Sequence, residues 1–143
     1  ARAKNLHAAA RVVAERHGGR FPRHLEEMMT LPGVGRYTAG AVVSFAHGEA
    51  APVLDTNVRR VLGRIFVRRR PASQAKLDRR LWALAEAAIP LGRVWEFNQS
   101  LMDFGATVCT ARSPKCDLCP MRSICVFYER TGNTNTISTE GKS

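Results

Sequence analysis

The stretch from Leu31 to Val61 reads LPGVGRYTAGAVVSFAHGEAAPVLDTNVRRV. It decides the fold because it sets a glycine hairpin between two helical patterns and ends on a lone acidic residue that opens a third. Gly33 and Gly35 bracket Val34, and glycine there lets the backbone take positive φ and approach a ligand without a Cβ in the way. The hairpin N–H groups, with the N-terminus of a helix expected to start near Arg36, suit a phosphate oxygen. An ordinary tight helix–helix connection is the competing reading of Pro-Gly-x-Gly. Tyr37, Thr38, Ala41, Val42 and Phe45 recur at helical spacing, which predicts that they form the packed face anchoring the hairpin.

Farther along, Pro52-Val53-Leu54 reads as a short extended run, and Asp55 stands where the next helix needs its N-cap. That helix is expected to bury Val58, Val61, Leu62 and Ile65 and to expose Arg59, Arg60 and Arg64. A carboxylate at a helix N-terminus is favoured in its charged form. Asp55 therefore suits the stabilisation of a developing cation better than the donation of a proton. A plain helix cap is the other role open to it.

With 143 residues, the chain is one domain or a piece of one, long enough for a helical core. It starts at Ala1 inside a helical pattern, which leads us to expect an excised segment. A net charge of +10, mostly arginine, points to a polyanionic partner rather than a merely soluble basic surface. No apolar run approaches membrane-spanning length, so no membrane association is expected. Four cysteines confined to residues 109–125 argue for metal ligation in a reducing compartment over a disulfide framework.

Residues 2–17 predict an amphipathic helix with Leu6, Ala9, Ala10 and Val13 inward, closed by Gly18-Gly19. His7 and His17 sit among charges and read as solvated. Phe21-Pro22 turns the chain into a short helix with Leu25, Met28 and Met29 that leads into the hairpin. Arg68-Arg69-Arg70-Pro71 reads as a solvated loop. Ser73 is placed to cap a helix whose core stripe is Leu77, Leu81, Leu84 and Ala88, ending at Pro90. A last long helix carries Val94, Phe97, Leu101 and Phe104. On it, Gln99 offers both a donor and an acceptor, as reading a base edge requires, although spacing alone makes it a surface residue. Residues 126–143, which turn polar and lose periodicity, are expected to form a disordered tail.

The cysteines follow the pattern Cys109-x6-Cys116-x2-Cys119-x5-Cys125. Four thiolates in so compact a loop can wrap one tetrahedral zinc or one cubane cluster, and ligand chemistry alone leaves both open.

LPGVGRYTAGAV followed by LDTNVRRVL resembles the helix-hairpin-helix plus Gly-Pro-Asp superfamily of base-excision DNA glycosylases. VWEFNQSLMDFGATVCTARSPKCDLCP narrows the resemblance to the adenine DNA glycosylases of the MutY type, over about residues 1–125. The resemblance implies an all-α fold: a partial helix-hairpin-helix glycosylase region over 1–108 and an iron–sulfur loop over 109–125, with the family's C-terminal recognition domain missing. By the same resemblance Cys109, Cys116, Cys119 and Cys125 hold a [4Fe–4S] cluster. Backbone carbonyls of Met29, Leu31 and Val34 hold a monovalent cation that also touches a DNA phosphate.

The site residues carry over one by one. Asp55 is the catalytic carboxylate, Asn57 helps order the site, Tyr37 stands on the opposite wall and Gln99 contacts the adenine. Gly33, Val34, Gly35 and Arg36, with Arg112 and Lys115 in the loop tied off by the first two cysteines, contact DNA. The acid that protonates adenine is a glutamate upstream of Ala1. Bifunctional relatives place a lysine where this chain has Tyr37, and the lysines here are Lys4, Lys76, Lys115 and Lys142.

The expected activity is therefore monofunctional hydrolysis of the N-glycosidic bond of adenine opposite 8-oxoguanine or guanine. It would act on double-stranded DNA, as a monomer, in the bacterial cytoplasm at the nucleoid or in a eukaryotic nucleus, with the isolated segment inactive. Thr56 departs from the glycine common in adenine glycosylases, which keeps a thymine or uracil mismatch glycosylase open. A non-catalytic DNA-binding iron–sulfur module is the alternative of a different class.

Overall fold

The structure, a computed structural model, describes residues 1–132. Seven α-helices follow one another: α1 (Arg2–Arg16), α2 (Leu25–Met29), α3 (Arg36–His47), α4 (Thr56–Phe66), α5 (Gln74–Ala87), α6 (Val94–Thr107) and α7 (Val126–Thr131). Two 3₁₀ turns, Cys116–Leu118 and Arg122–Ile124, lie in the cysteine loop. No strand occurs among the described residues, so the expected all-α class holds.

Two apolar clusters build the core. The first joins Ala9 and Val13 of α1, Met28 of α2, Leu31, Ala39 and Val43 of α3, and Ala51. The second joins Leu54, Val58 and Leu62 of α4 to Val67 and to Leu81 and Ala85 of α5. Helix α4 is the hub, packing on α5, α6 and α7. Its inward residues Val58, Val61, Leu62 and Ile65 are all buried, as their spacing predicts. Ser73 caps α5 by accepting from Lys76 N at 3.3 Å.

Three helix faces differ in part from expectation. In α3 the buried residues are Ala39, Gly40, Val43 and Ser44, whereas Tyr37 is 44 % exposed and Thr38 lies at the surface. The reason is proximity: a Cβ on Gly40 would fall within 2.3 Å of the Pro52 carbonyl oxygen. The helix backbone rests directly on the extended run, so Ala39 and Gly40 face inward with Val43, Tyr37 and Thr38 are turned out, and Val42 packs at the edge of the first cluster as expected. In α1, Ala9 and Val13 are buried but Leu6 and Ala10 are exposed. They line an open apolar groove with Phe21 and Val34. At the C-cap of α5, Ala88 is likewise exposed while Ala85 is buried.

The expected tail also needs correction at its start. Val126–Thr131 is helical with Val126 buried, because α7 packs on α4. Arg68 fixes it by pairing with both carboxylate oxygens of Glu129, at 3.2 and 2.8 Å. The arginine run is an exposed loop, as expected, from which Arg68 reaches α7. The remainder of that expected tail, 133–143, lies outside the described residues.

Candidate active site

Asp55 is the N-cap of α4, with extended backbone (φ −81°, ψ −176°). One carboxylate oxygen accepts from Val58 N at 2.7 Å, and the other accepts from Asn57 Nδ2 at 3.5 Å. The residues before it, Ala51 to Leu54, are all buried, so the carboxylate is carried on a rigid lead-in. Asn57 turns its other side to Arg60, whose Nη2 donates to Asn57 Oδ1 at 2.8 Å. The two partners agree on the amide orientation, one needing its N–H and the other its oxygen.

Arg60 continues outward. Its Nη2 also donates to Gly105 O at 2.6 Å, and its Nε donates to Cys109 O at 2.8 Å. A side chain on Gly105 would bring a Cβ to 2.8 Å from Asn57 Cβ, so glycine there lets α6 close on α4 beside Asp55. The expectation that Arg59, Arg60 and Arg64 are exposed is therefore wrong. Arg59 is paired with Asp78. Arg60 and Arg64 reach across to the carbonyls of a loop more than forty residues away in sequence.

Asn98 had no place in the sequence reading and proves central. It is 2 % exposed, and its Nδ2 donates to Ser44 Oγ at 2.8 Å and to Ala51 O at 2.9 Å. One amide thereby locks α6, α3 and the lead-in to Asp55 together. Its neighbour Gln99 is half-buried on α6 and donates to Asp103 Oδ1 at 3.0 Å.

In the hairpin, Gly33 takes φ +77°, the left-handed region that glycine favours. Val34 N donates to Leu31 O at 3.1 Å, closing the turn. The Leu31 carbonyl, one of the three that the resemblance assigns to a cation, thus already accepts one hydrogen bond. Gly35 differs from expectation: its backbone is extended (φ −86°) as the N-cap of α3, and a Cβ there would meet nothing within 4 Å. The N-terminus of α3 is accordingly open to solvent. Arg36 lays its guanidinium over the Trp82 ring at 4.4 Å from the centroid, which ties the hairpin helix to α5.

The four cysteines are free, partly buried thiols. They line one small cavity together with Arg64, Phe104 and Phe127. Burial foremost, then the charges of Cys125, Cys109 and Cys119, push the Cys116 thiol up, while Arg64 acts the other way. Thiols that oppose one another's ionisation are a donor set that a cationic core would relieve. Among the described residues no three His, Cys, Asp or Glu side chains gather as a single ion would need them. Four cysteines lining one cavity supply the thiolate donors that a cubane cluster takes. Arg112 and Lys115 stand exposed on the loop between the first two cysteines.

Residues 16–45 match the family described as the helix-hairpin-helix motif, and residues 109–125 match the iron-sulfur binding domain of endonuclease III. A solved structure of a thermostable thymine-DNA glycosylase superposes with a TM-score of 0.78 at 40 % identity, over 90 % of this chain and 59 % of that one. A trapped endonuclease III–DNA covalent intermediate gives 0.73 at 31 % identity, over 90 % and 58 %. The chain shares the helix-hairpin-helix fold of these two structures.

Curated relatives agree with this likeness. The thymine/uracil-DNA glycosylase of Methanothermobacter thermautotrophicus is 42 % identical over 132 residues, 90 % of this chain and 58 % of its own length. The human adenine DNA glycosylase is 44 % identical over 130 residues, again 90 % of this chain but 24 % of its own. The chain thus spans under two thirds of either relative. Cys109, Cys116, Cys119 and Cys125 fall within the matched iron–sulfur segment, and an iron–sulfur cluster is the cofactor they serve.

Proposed function

We propose that the full-length protein bearing this chain is a base-excision DNA glycosylase that hydrolyses the N-glycosidic bond of adenine mispaired with 8-oxoguanine or guanine, without cutting the strand. The observation that carries this reading is the Asp55 carboxylate: one oxygen is spent on the helix cap and the other is held by Asn57, on the helix directly following the hairpin helix.

Cleavage of a nucleotide's glycosidic bond passes through an oxocarbenium-like transition state. A fixed carboxylate beneath the sugar stabilises that cation more than it stabilises the ground state. As the C1′–N bond breaks, the base leaves with a proton from an acid elsewhere in the polypeptide. Water then adds to C1′ and passes its own proton back to the now deprotonated acid. Tyr37, exposed at the start of α3, walls the sugar pocket, and Gln99 reads the edge of the extruded base. The open N-terminus of α3 and the Gly33–Gly35 turn take a backbone phosphate, and the carbonyls of Met29, Leu31 and Val34 would hold a monovalent cation that adds positive charge beside it. Arg112 and Lys115 take another phosphate.

Monofunctionality rests on Tyr37 standing where a Schiff-base lysine would be required. Thr56, the exposed first residue of α4, and the similarity to a thymine/uracil-DNA glycosylase favour a second reading, removal of thymine or uracil from mismatches. Base release from duplexes carrying A·8-oxoguanine, A·G, T·G or U·G decides between them. Release of adenine alone supports the first reading and release of pyrimidine the second. Binding without any release would leave only a DNA-binding iron–sulfur module.

A further inference from the structure

Arg64 has no part in the chemistry above, yet its side chain is the most heavily engaged at the cysteine cavity. It lies one helical turn beyond Arg60 on α4 and faces the cavity wall. Its Nη1 donates to Thr110 O at 2.7 Å and lies 3.5 Å from Cys109 Sγ, and its Nη2 donates to Ala111 O at 2.9 Å. The Phe127 ring covers one guanidinium face at 4.7 Å. Its backbone carbonyl in turn lies 3.6 Å from Cys125 Sγ. One residue therefore touches the first and the last cysteine of the segment.

We propose that Arg64 sets the electrostatic environment of the iron–sulfur cluster and latches its cavity. The guanidinium, aimed by two loop carbonyls and roofed by an aromatic ring, holds positive charge and an N–H donor against the ligand sulfur of Cys109. Net charge, hydrogen bonds to sulfur and solvent exposure are the protein's means of setting a cluster potential. A cation and a donor at a thiolate stabilise the electron-richer state, so Arg64 raises the reduction potential. The latch is a separate effect. By fixing Thr110 and Ala111 next to the first ligand, the same fork slows the loop opening through which iron is lost. Lysine separates the two, because it keeps the charge but can neither fork to two carbonyls nor stack as a plane.

The test uses the full-length protein loaded anaerobically, with about four iron expected per chain. Midpoint potential is read by voltammetry, and iron release to a chelator by absorbance. Arg64→Gln should lower the reduced-to-oxidised ratio at the parent midpoint about tenfold, roughly 59 mV for one electron, and speed iron release several-fold. Arg64→Lys should keep the potential near that of the parent and still release iron several-fold faster. Arg79→Gln, the same charge change on the exposed side of α5, should alter neither. A parent-like potential in Arg64→Gln, or parent-like release in Arg64→Lys, overturns the proposal. If Arg64→Gln takes up no iron, the release rate of Arg64→Lys decides alone. An unmodified protein that carries no iron overturns the cluster assignment itself, and the role of Arg64 with it.

Discussion

Arg60 and Cys109 are joined by a hydrogen bond of 2.8 Å from guanidinium to carbonyl, and the same guanidinium orders the asparagine beside Asp55. The cysteine loop and the proposed reaction centre thus share one side chain. Removing it as Arg60→Ala strands the carbonyls of Gly105 and Cys109 in a partly buried site, at a cost of about 1–3 kcal/mol. Thermal or denaturant melting reads that loss, and a variant as stable as the parent would show that water replaces the guanidinium freely.

Asp55→Asn separates catalyst from cap. The amide oxygen can still accept from Val58 N, so stability should fall by less than about 1 kcal/mol. In the full-length protein base release should fall by about two orders of magnitude or more, since the charge that offsets the sugar cation is gone. DNA binding should persist. Release near the parent rate would reduce Asp55 to a helix cap.

Gly105→Ala tests the closeness of α6 to α4. The new methyl would meet Asn57 Cβ at 2.8 Å and its backbone at 3.2 Å, neither a flexible side-chain end. Overpacking of this kind costs about 1–3 kcal/mol, and base release should fall along with the melting temperature. An unchanged melting midpoint would mean the helices part without strain.

Acid should weaken the surface pairs in a defined window. A hydrogen bond from Arg59 foremost, then one from Gln74, holds the Asp78 carboxyl below its usual range. A hydrogen bond and then the charge of Arg68 do the same for Glu129. A depressed folded-state pKa gives stability that is present above the ordinary carboxylate pKa and is lost as pH falls through the folded value. Both contributions should therefore be constant around neutrality and vanish only in acid below about pH 4. Melting temperature against pH for Asp78→Asn and Glu129→Gln, each converging on the parent at low pH, is the check.

Arg112 and Lys115 are proposed phosphate contacts, and each should account for about 0.9 of the slope of log affinity against log salt on duplex DNA. Replacing either by alanine lowers that slope by roughly one. A slope unmoved by both changes would place the DNA elsewhere.

Much of this was legible in the sequence. Asp55 as a cap, the four inward residues of α4 and the clustering of the cysteines all follow from local spacing. The inward face of α3 was not, because Gly40 and Ala39 carry no apolar signal until the Pro52 carbonyl is known to lie against them. Arg60 and Arg64 read as surface charge because their partners are carbonyls 45 to 49 residues away. Asn98 was missed for a related reason: a single polar residue on a helix looks solvated, and only its two tertiary acceptors reveal a buried lock.

The seat of Gly40 on Pro52 has a further meaning for the proposed contact with a duplex. Main chain lies against main chain there, with no side chain between as a compressible spacer. The separation from the Gly33 turn to Asp55 is then a gauge length, set by the thickness of the polypeptide itself. Substitutions elsewhere on α3 can redress its outer surface without altering how far along a strand the sugar would sit from a phosphate held as proposed. A methyl group at residue 40 is the change that would reset the gauge.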